Sequence, residues 1–275
     1  MRLFLYLITI LIVTTPLSAL ADDGEHERTQ LSLRFGTDVL IAGNSPQHVG
    51  RWAGYIGLGY RPPDMPFYTY IDTHLGWSFL KFDDELTDGL GIDVRLSQAA
   101  NLSIEAGMLL DVYQSGENRS GPMLIQLYFA IQTTVLKDEM HITHGYLRTE
   151  QGEFDVTPFL REHSSTQYKW NSISGGVTMR YRFGSVEPRI SLGIERLFML
   201  MDLQLDDDGK EVATSLDEDY AAIERTYELA YIAATLTPGL DIHLSDNLKI
   251  VADVLFMPVP ESVILGSSVG LEYAF

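Results

Sequence analysis

Three groups of side chains in this sequence have types and spacings that suit chemistry. The first is Glu162-His163-Ser164-Ser165 followed by Trp170-Asn171, which sets a histidine, a serine and an asparagine close together in the chain. A serine near a base is the raw material of nucleophilic hydrolysis. The second is the acidic run from Asp206-Asp207-Asp208-Gly209 to Asp217-Glu218-Asp219, whose oxygens are hard ligands of the kind calcium takes. An EF-hand register with glycine sixth puts Gln204 first and Ser215 twelfth, where a bidentate glutamate is required, so that motif fails. A solvated acidic loop is the expectation. The third group is a series of ionisable residues at alternate positions: Arg34, Asp38, Asp72, His74, Asp93, Arg95, Glu105, Asp111, Arg180, Arg182, Arg189, Glu195, Lys249, Asp253 and Glu272. Opposite signs fall near one another, which predicts mutual ion pairing. His141 and His144 are isolated from other ligand types, and there is no phosphate loop or dinucleotide fingerprint. No metal site and no cofactor are expected.

Alternating charges need an element whose side chains alternate between two faces, and the sequence supplies it at period two. Apolar residues or threonine hold the odd positions of residues 31–41 and 67–79, and the polar set lies between them. Similar alternation runs through residues 90–97, 102–112, 123–132, 173–183, 190–195, 248–256 and 265–275, and more weakly through 52–60, 141–149 and 227–244. That predicts an all-β chain of about twelve strands, or ten if one weak hairpin slips or merges. Tight turns are expected at Pro62-Pro63-Asp64-Met65-Pro66, Gln98-Ala99-Ala100-Asn101, Gly184-Ser185-Val186 and Ser245-Asp246-Asn247. Longer polar connections are expected near 81–88, 115–121, 150–167 and 204–220. Short turns at one end and long loops at the other predict a transmembrane antiparallel up-and-down β-barrel, with an oily outward face and a wet inward one.

Composition agrees. A net charge of −19, from 38 acidic against 19 basic residues, argues against nucleic acid as a partner. The absence of cysteine excludes disulfides, thiolate metal sites and cysteine nucleophiles. Residues 1–21, with Arg2, an apolar stretch and Ser18-Ala19-Leu20-Ala21, have the pattern of a cleaved secretory signal peptide, which leaves residues 22–275 as one barrel domain.

The final residues Val269-Gly270-Leu271-Glu272-Tyr273-Ala274-Phe275 resemble the last strand of bacterial outer-membrane β-barrels. That resemblance implies location in the bacterial outer membrane and contact with its lipid and lipopolysaccharide. It also implies that Leu271, Tyr273 and Phe275 are the signal read by the barrel-assembly machinery. In its size and ending the chain is similar to the translocator domain of autotransporters, as a solitary barrel. Only Asp22 to Arg28 separate the cleavage site from the first strand, so neither a passenger nor a plugging helix is expected. The expectation is a non-enzymatic protein with a structural or small-solute passage role and a narrow, salt-bridged lumen lined by the alternate charges. Arg34, Arg95, Arg180 and Arg182 form a basic ladder in the alternative of an anion-selective pore. Two further alternatives follow. The segment from His163 resembles the catalytic region of outer-membrane phospholipase, which would make Ser165 the nucleophile, His163 the base and Asn171 the orienting group. The loops 150–167 and 204–220 would instead serve a surface adhesin or receptor. The sequence names no solute or ligand.

Overall fold

The computed structural model describes residues 30–44, 47–63, 65–87, 90–115, 122–134, 141–149, 152–216, 225–259 and 262–275. The expected signal peptide and the segment from Asp22 to Arg28 lie outside the described residues. Twelve strands form: β1 Gln30–Asn44, β2 Gln47–Arg61, β3 Phe67–Thr87, β4 Leu90–Gln114, β5 Met123–Thr134, β6 His141–Thr149, β7 Gly152–Asp155, β8 Ser164–Tyr181, β9 Val186–Leu205, β10 Arg225–His243, β11 Leu248–Val259 and β12 Ser262–Ala274. Among the described residues two helices lie between strands, α1 Thr157–His163 and α2 Asp207–Leu216.

All pairings are antiparallel, and the sheet closes on itself. β1 pairs with β2 on one side and with β12 on the other, from Ser32 opposite Ala274 to Gly43 opposite Val263. The ring contains ten strands, because β6 and β7 stand outside it. Chain ends and the connections after β2, β4, β8 and β10 share one end of the barrel, here the terminal end; the helices and the β6–β7 hairpin crown the distal end.

Of the expected twelve strands or ten, the ring has ten: two expected strands merge into one, and the one expected at residues 141–149 is β6, outside the ring. Residues 90–97 and 102–112 belong to a single long β4, and the turn expected at residues 98–101 does not form. β3 runs unbroken alongside, and Ala99 and Ala100 together oppose Trp77 as a β-bulge between Ser78–Gln98 and Gly76–Asn101. The proximal part of β4 pairs with β5 and its distal part with β6, so β4 forks out of the ring. Merging two strands also moves the connection after Gln114, expected among the long distal loops, to the terminal end.

The outward face is apolar. Phe35, Ile56, Leu75, Trp77, Leu127, Ile194, Leu265 and Val269 are exposed, and Ile232 reaches 75%. Aromatic pairs mark two levels, Trp52 against Trp77 towards the distal side and Tyr181 against Phe183 near the terminal end. An oily band between aromatic girdles is the exterior of a membrane barrel. No helix among the described residues is long and apolar enough to cross a membrane; strands do the crossing.

Candidate functional site

Inward positions divide by height. Towards the distal end the lumen is filled by an apolar cluster: Val94 and Leu96 of β4, Ile142 of β6, Leu160 of α1, Trp170 of β8, Leu197, Leu203 and Leu205 of β9, Ala233 of β10, Met257 of β11 and Ile264 of β12. Leu40 of β1 and Phe159 of α1 pack against it. The contributors lie on β4, β8, β9, β10, β11 and β12, with Leu40 on β1, so apolar side chains line much of the distal wall. α1 is only seven residues long and has no independent stability at that length. It is held by the buried Leu160 and by Arg161, which donates to the carbonyls of Ile142 (2.7 Å) and Thr143 (3.1 Å). Asp155 accepts from the Thr157 amide at 2.9 Å, and these Thr157 hydrogen bonds hold its carboxyl below the usual carboxylate range.

Below the apolar layer two ion-paired walls face a cavity of about 460 Å³. On one wall Arg34 meets Asp72 at 2.9 Å and stacks over the Tyr70 ring, while Arg51 meets Asp38 at 2.6 Å. His74 Nδ1 lies 3.2 Å from the same Asp38, and Tyr70 donates its hydroxyl to Glu105 at 2.8 Å. On the other wall Arg189 grips Asp253 with two nitrogens (3.0 and 2.5 Å) and also contacts Asp241. Asp241 is fully buried and receives Arg180 and Lys249, each at 3.5 Å. Lys249 continues to Glu272 at 3.2 Å, and Arg180 to Glu187 at 3.2 Å. Near the terminal end Arg61 and Gln126 both donate to Asp111 at 2.6 Å.

Tyrosine rings lie flat on glycines of the wall. A Cβ on Gly270 would stand 2.0 Å from the Tyr55 hydroxyl, and one on Gly193 would stand 1.9 Å from that of Tyr128. Glycine is needed at both positions because a ring occupies the space a side chain would fill.

The structure thus places Arg34, Asp72, His74, Glu105, Asp111, Arg180, Lys249 and Asp253 on the lumen wall. Asp93 and Arg95 are corrected to the outer face. The bulge at residues 99–100 shifts the parity of distal β4 by one, which turns Val94 and Leu96 inward and their neighbours outward. There Asp93 meets Lys81 at 3.7 Å and Arg95 at 3.5 Å. Arg182 lies past the end of β8, exposed at the terminal end and donating to the Gly184 carbonyl at 3.1 Å, so the basic ladder is not assembled. Arg51, Arg61, Glu187 and Asp241 join the network without having been singled out; their inward parity on β2, β9 and β10 is the signal that marks them.

The hydrolytic group is dispersed. His163 Nδ1 lies 3.3 Å from Asp206, Ser165 is exposed at the start of β8, and Asn171 accepts from Thr133 on β5 at 2.7 Å. Six residue steps along the strand, ~20 Å, separate Ser165 from Asn171. The acidic loop is in part a helix: Asp206 caps α2 by accepting from the Gly209 amide at 2.6 Å, and Asp207 and Asp208 sit in the first turn, where the helix dipole favours negative charge. Asp217, Glu218 and Asp219 lie outside the described residues. Of the residues expected to form a C-terminal signal, Tyr273 and Phe275 stack edge to face at 5.0 Å, and Leu271 pairs with Phe35 and Ile250.

No family model matches the sequence, and no curated protein does. Solved structures do. The chain is similar to the outer membrane protease OmpT from Escherichia coli, at 10% identity over 90% of this chain and 96% of that one, with a TM-score of 0.51. It is also similar to the translocator domain of the autotransporter NalP from Neisseria meningitidis, at 8% identity over 98% and 95% of the two chains, TM-score 0.46. The transport unit of the autotransporter AIDA-I from Escherichia coli gives 11% identity over 98% and 97%, TM-score 0.41. At these identities the likeness is one of fold. The fold is that of bacterial outer-membrane β-barrels.

Proposed function

We propose that this protein is an integral outer-membrane barrel whose lumen is closed to passage, and that its role in the membrane is structural. The distal end would face the cell exterior, because the helices and the extra hairpin gather there and both termini share the opposite end. The single observation that carries the reading is the apolar cluster at the distal end, in which Leu160 of α1 joins side chains from β4, β8, β9, β10, β11 and β12. A solute moving through would have to shed its water against that layer and then part the ion pairs beneath it, which is how hydrophobic constrictions close pores. Of the two roles expected from the sequence, the reading keeps the structural one over small-solute passage, and a passenger chain would meet the same obstacle. Enzymatic action on phospholipid is not part of it, since Ser165 and Asn171 are held apart by the strand between them.

The test is liposome swelling. Vesicles carrying the refolded protein and placed in isotonic arabinose are expected to keep their turbidity, as protein-free vesicles do. Swelling at the rate of a general porin would overturn the proposal.

A further inference from the structure

The lumen contains carboxylates that its own cations do not neutralise. Among the described residues no lysine or arginine lies within ion-pair distance of Glu105 or Glu195, although both line the cavity. Every guanidinium on the two walls is already committed, Arg34 to Asp72, Arg51 to Asp38, and Arg180 and Arg189 to Asp241. Burying a carboxylate without a cation is costly, and a bound cation would offset that cost.

A second observation points to the kind of ligand. His74 is 7% exposed, and its Nε2 has no hydrogen-bond partner. Nε2 lies on the opposite side of the ring from the Nδ1 that meets Asp38, 3.9 Å from a carboxylate oxygen of Glu105, and in the Nδ1–H tautomer it presents a lone pair there. The other Glu105 oxygen already accepts the Tyr70 hydroxyl proton. In that tautomer two acceptors face one another with no donor between them. Asp72, 3% exposed, leaves a further oxygen unpartnered on the same wall. What such a set lacks is a compact cation rich in N–H donors. A divalent metal suits it less well, since no three metal-type side chains converge among the described residues.

We infer that the lumen cavity is a binding site for small aliphatic primary amines, reached from the terminal end, with one ammonium seated between His74 and Glu105. Glu195 supplies a second anionic point across the cavity. Its strand, β9, stands three strand spacings from β4 around the wall, ~14 Å, and both glutamate side chains reach inward across that gap. A short diamine spans the remainder. The Tyr55 and Tyr128 rings flank the cavity and give the aliphatic chain an apolar bed, and their faces favour a cation. Amine selectivity over alcohols follows because only an ammonium satisfies both acceptors and the charge.

The experiment uses the full barrel folded in detergent micelles, titrated calorimetrically with 1,4-diaminobutane and separately with 1,4-butanediol. The diamine is expected to bind one per barrel and the diol to give no saturable heat. Glu105→Gln and Glu195→Gln are each expected to weaken diamine binding at least about tenfold, the loss of one charge-assisted hydrogen bond. Both variants remove an uncompensated charge, and heat-modifiable migration on a gel checks that each still folds. Absence of diamine binding by the wild-type barrel, diol binding of equal strength, or unchanged affinity in Glu195→Gln would each overturn the inference. A barrel that conducts yet binds the diamine would contradict the closed lumen and leave the amine site standing.

Discussion

Arg189 is the group whose removal best distinguishes a packed lumen from a water-filled one. Its guanidinium holds Asp253 through two nitrogens and also contacts Asp241, and it is itself 10% exposed against 0% for Asp241. In Arg189→Leu, Asp253 loses its cation and Asp241 keeps only Arg180 and Lys249, each at 3.5 Å. Breaking a buried pair in this way costs about 3–5 kcal/mol, because a carboxylate is left in a poorly solvated place. The same pair in a hydrated pore would be worth about 0–1 kcal/mol. Those ranges do not overlap. The loss would be a large fraction of the 5–15 kcal/mol typical of a folded domain. Equilibrium urea unfolding of the barrel in phosphatidylcholine vesicles, followed by tryptophan fluorescence, reads the difference. Arg189→Leu/Asp253→Leu is expected to recover most of the loss, since an apolar pair of similar volume replaces the ion pair without leaving a bare charge. A cost below about 1 kcal/mol for Arg189→Leu would refute the reasoning and mean that water already solvates these carboxylates.

Further outcomes follow from the packing. Gly193→Ala would drive a methyl group into the Tyr128 hydroxyl and is expected to cost about 1–3 kcal/mol in urea unfolding, with Tyr128→Ala in the same chain recovering part of it. Leu160→Ala removes the buried anchor of α1 and should lower local stability by about 2–5 kcal/mol, seen as faster proteolysis within residues 156–163 while the barrel remains heat-modifiable. Asp155 is held below the usual carboxylate range, so its support of α1 is present above its ordinary titration range and is lost as pH falls through the lowered value. Amide exchange in α1 should therefore quicken in acid in the wild type and become largely pH-independent, beyond intrinsic chemistry, in Asp155→Asn. Purified protein is expected to leave phospholipid unhydrolysed, and Ser165→Ala to match it; serine-dependent release of fatty acid would reinstate the dispersed hydrolytic group.

The barrel was legible where the chemistry alternates cleanly. β1, β3, β5 and β12 carry apolar residues on one parity and charge or small polar residues on the other, and each takes its expected facing. Legibility failed where one residue changes parity. Ala99 and Ala100 read as turn formers, but small residues also suit a bulge, and only the unbroken β3 alongside decides between the two. The misplacement of Asp93 and Arg95 follows from that one slip. β2 is glycine-rich and β10 contains Pro238, so their alternation is weak and Arg51 and Asp241 were overlooked. α1 could not be read from the sequence because Thr157, Pro158, Phe159 and Leu160 form too short an apolar stretch; its position depends on β6 and on the inverted face of distal β4. The lone pair of His74 facing Glu105 is likewise a product of three-dimensional placement, with Asp38 on β1 turning the ring.

Single-channel recording in planar bilayers tests the closed lumen most directly. Inserted wild-type barrel, shown to be folded by heat-modifiable migration, is expected to leave the membrane at its baseline conductance in molar potassium chloride. Stable, stepwise openings of the size that general porins give would contradict the account.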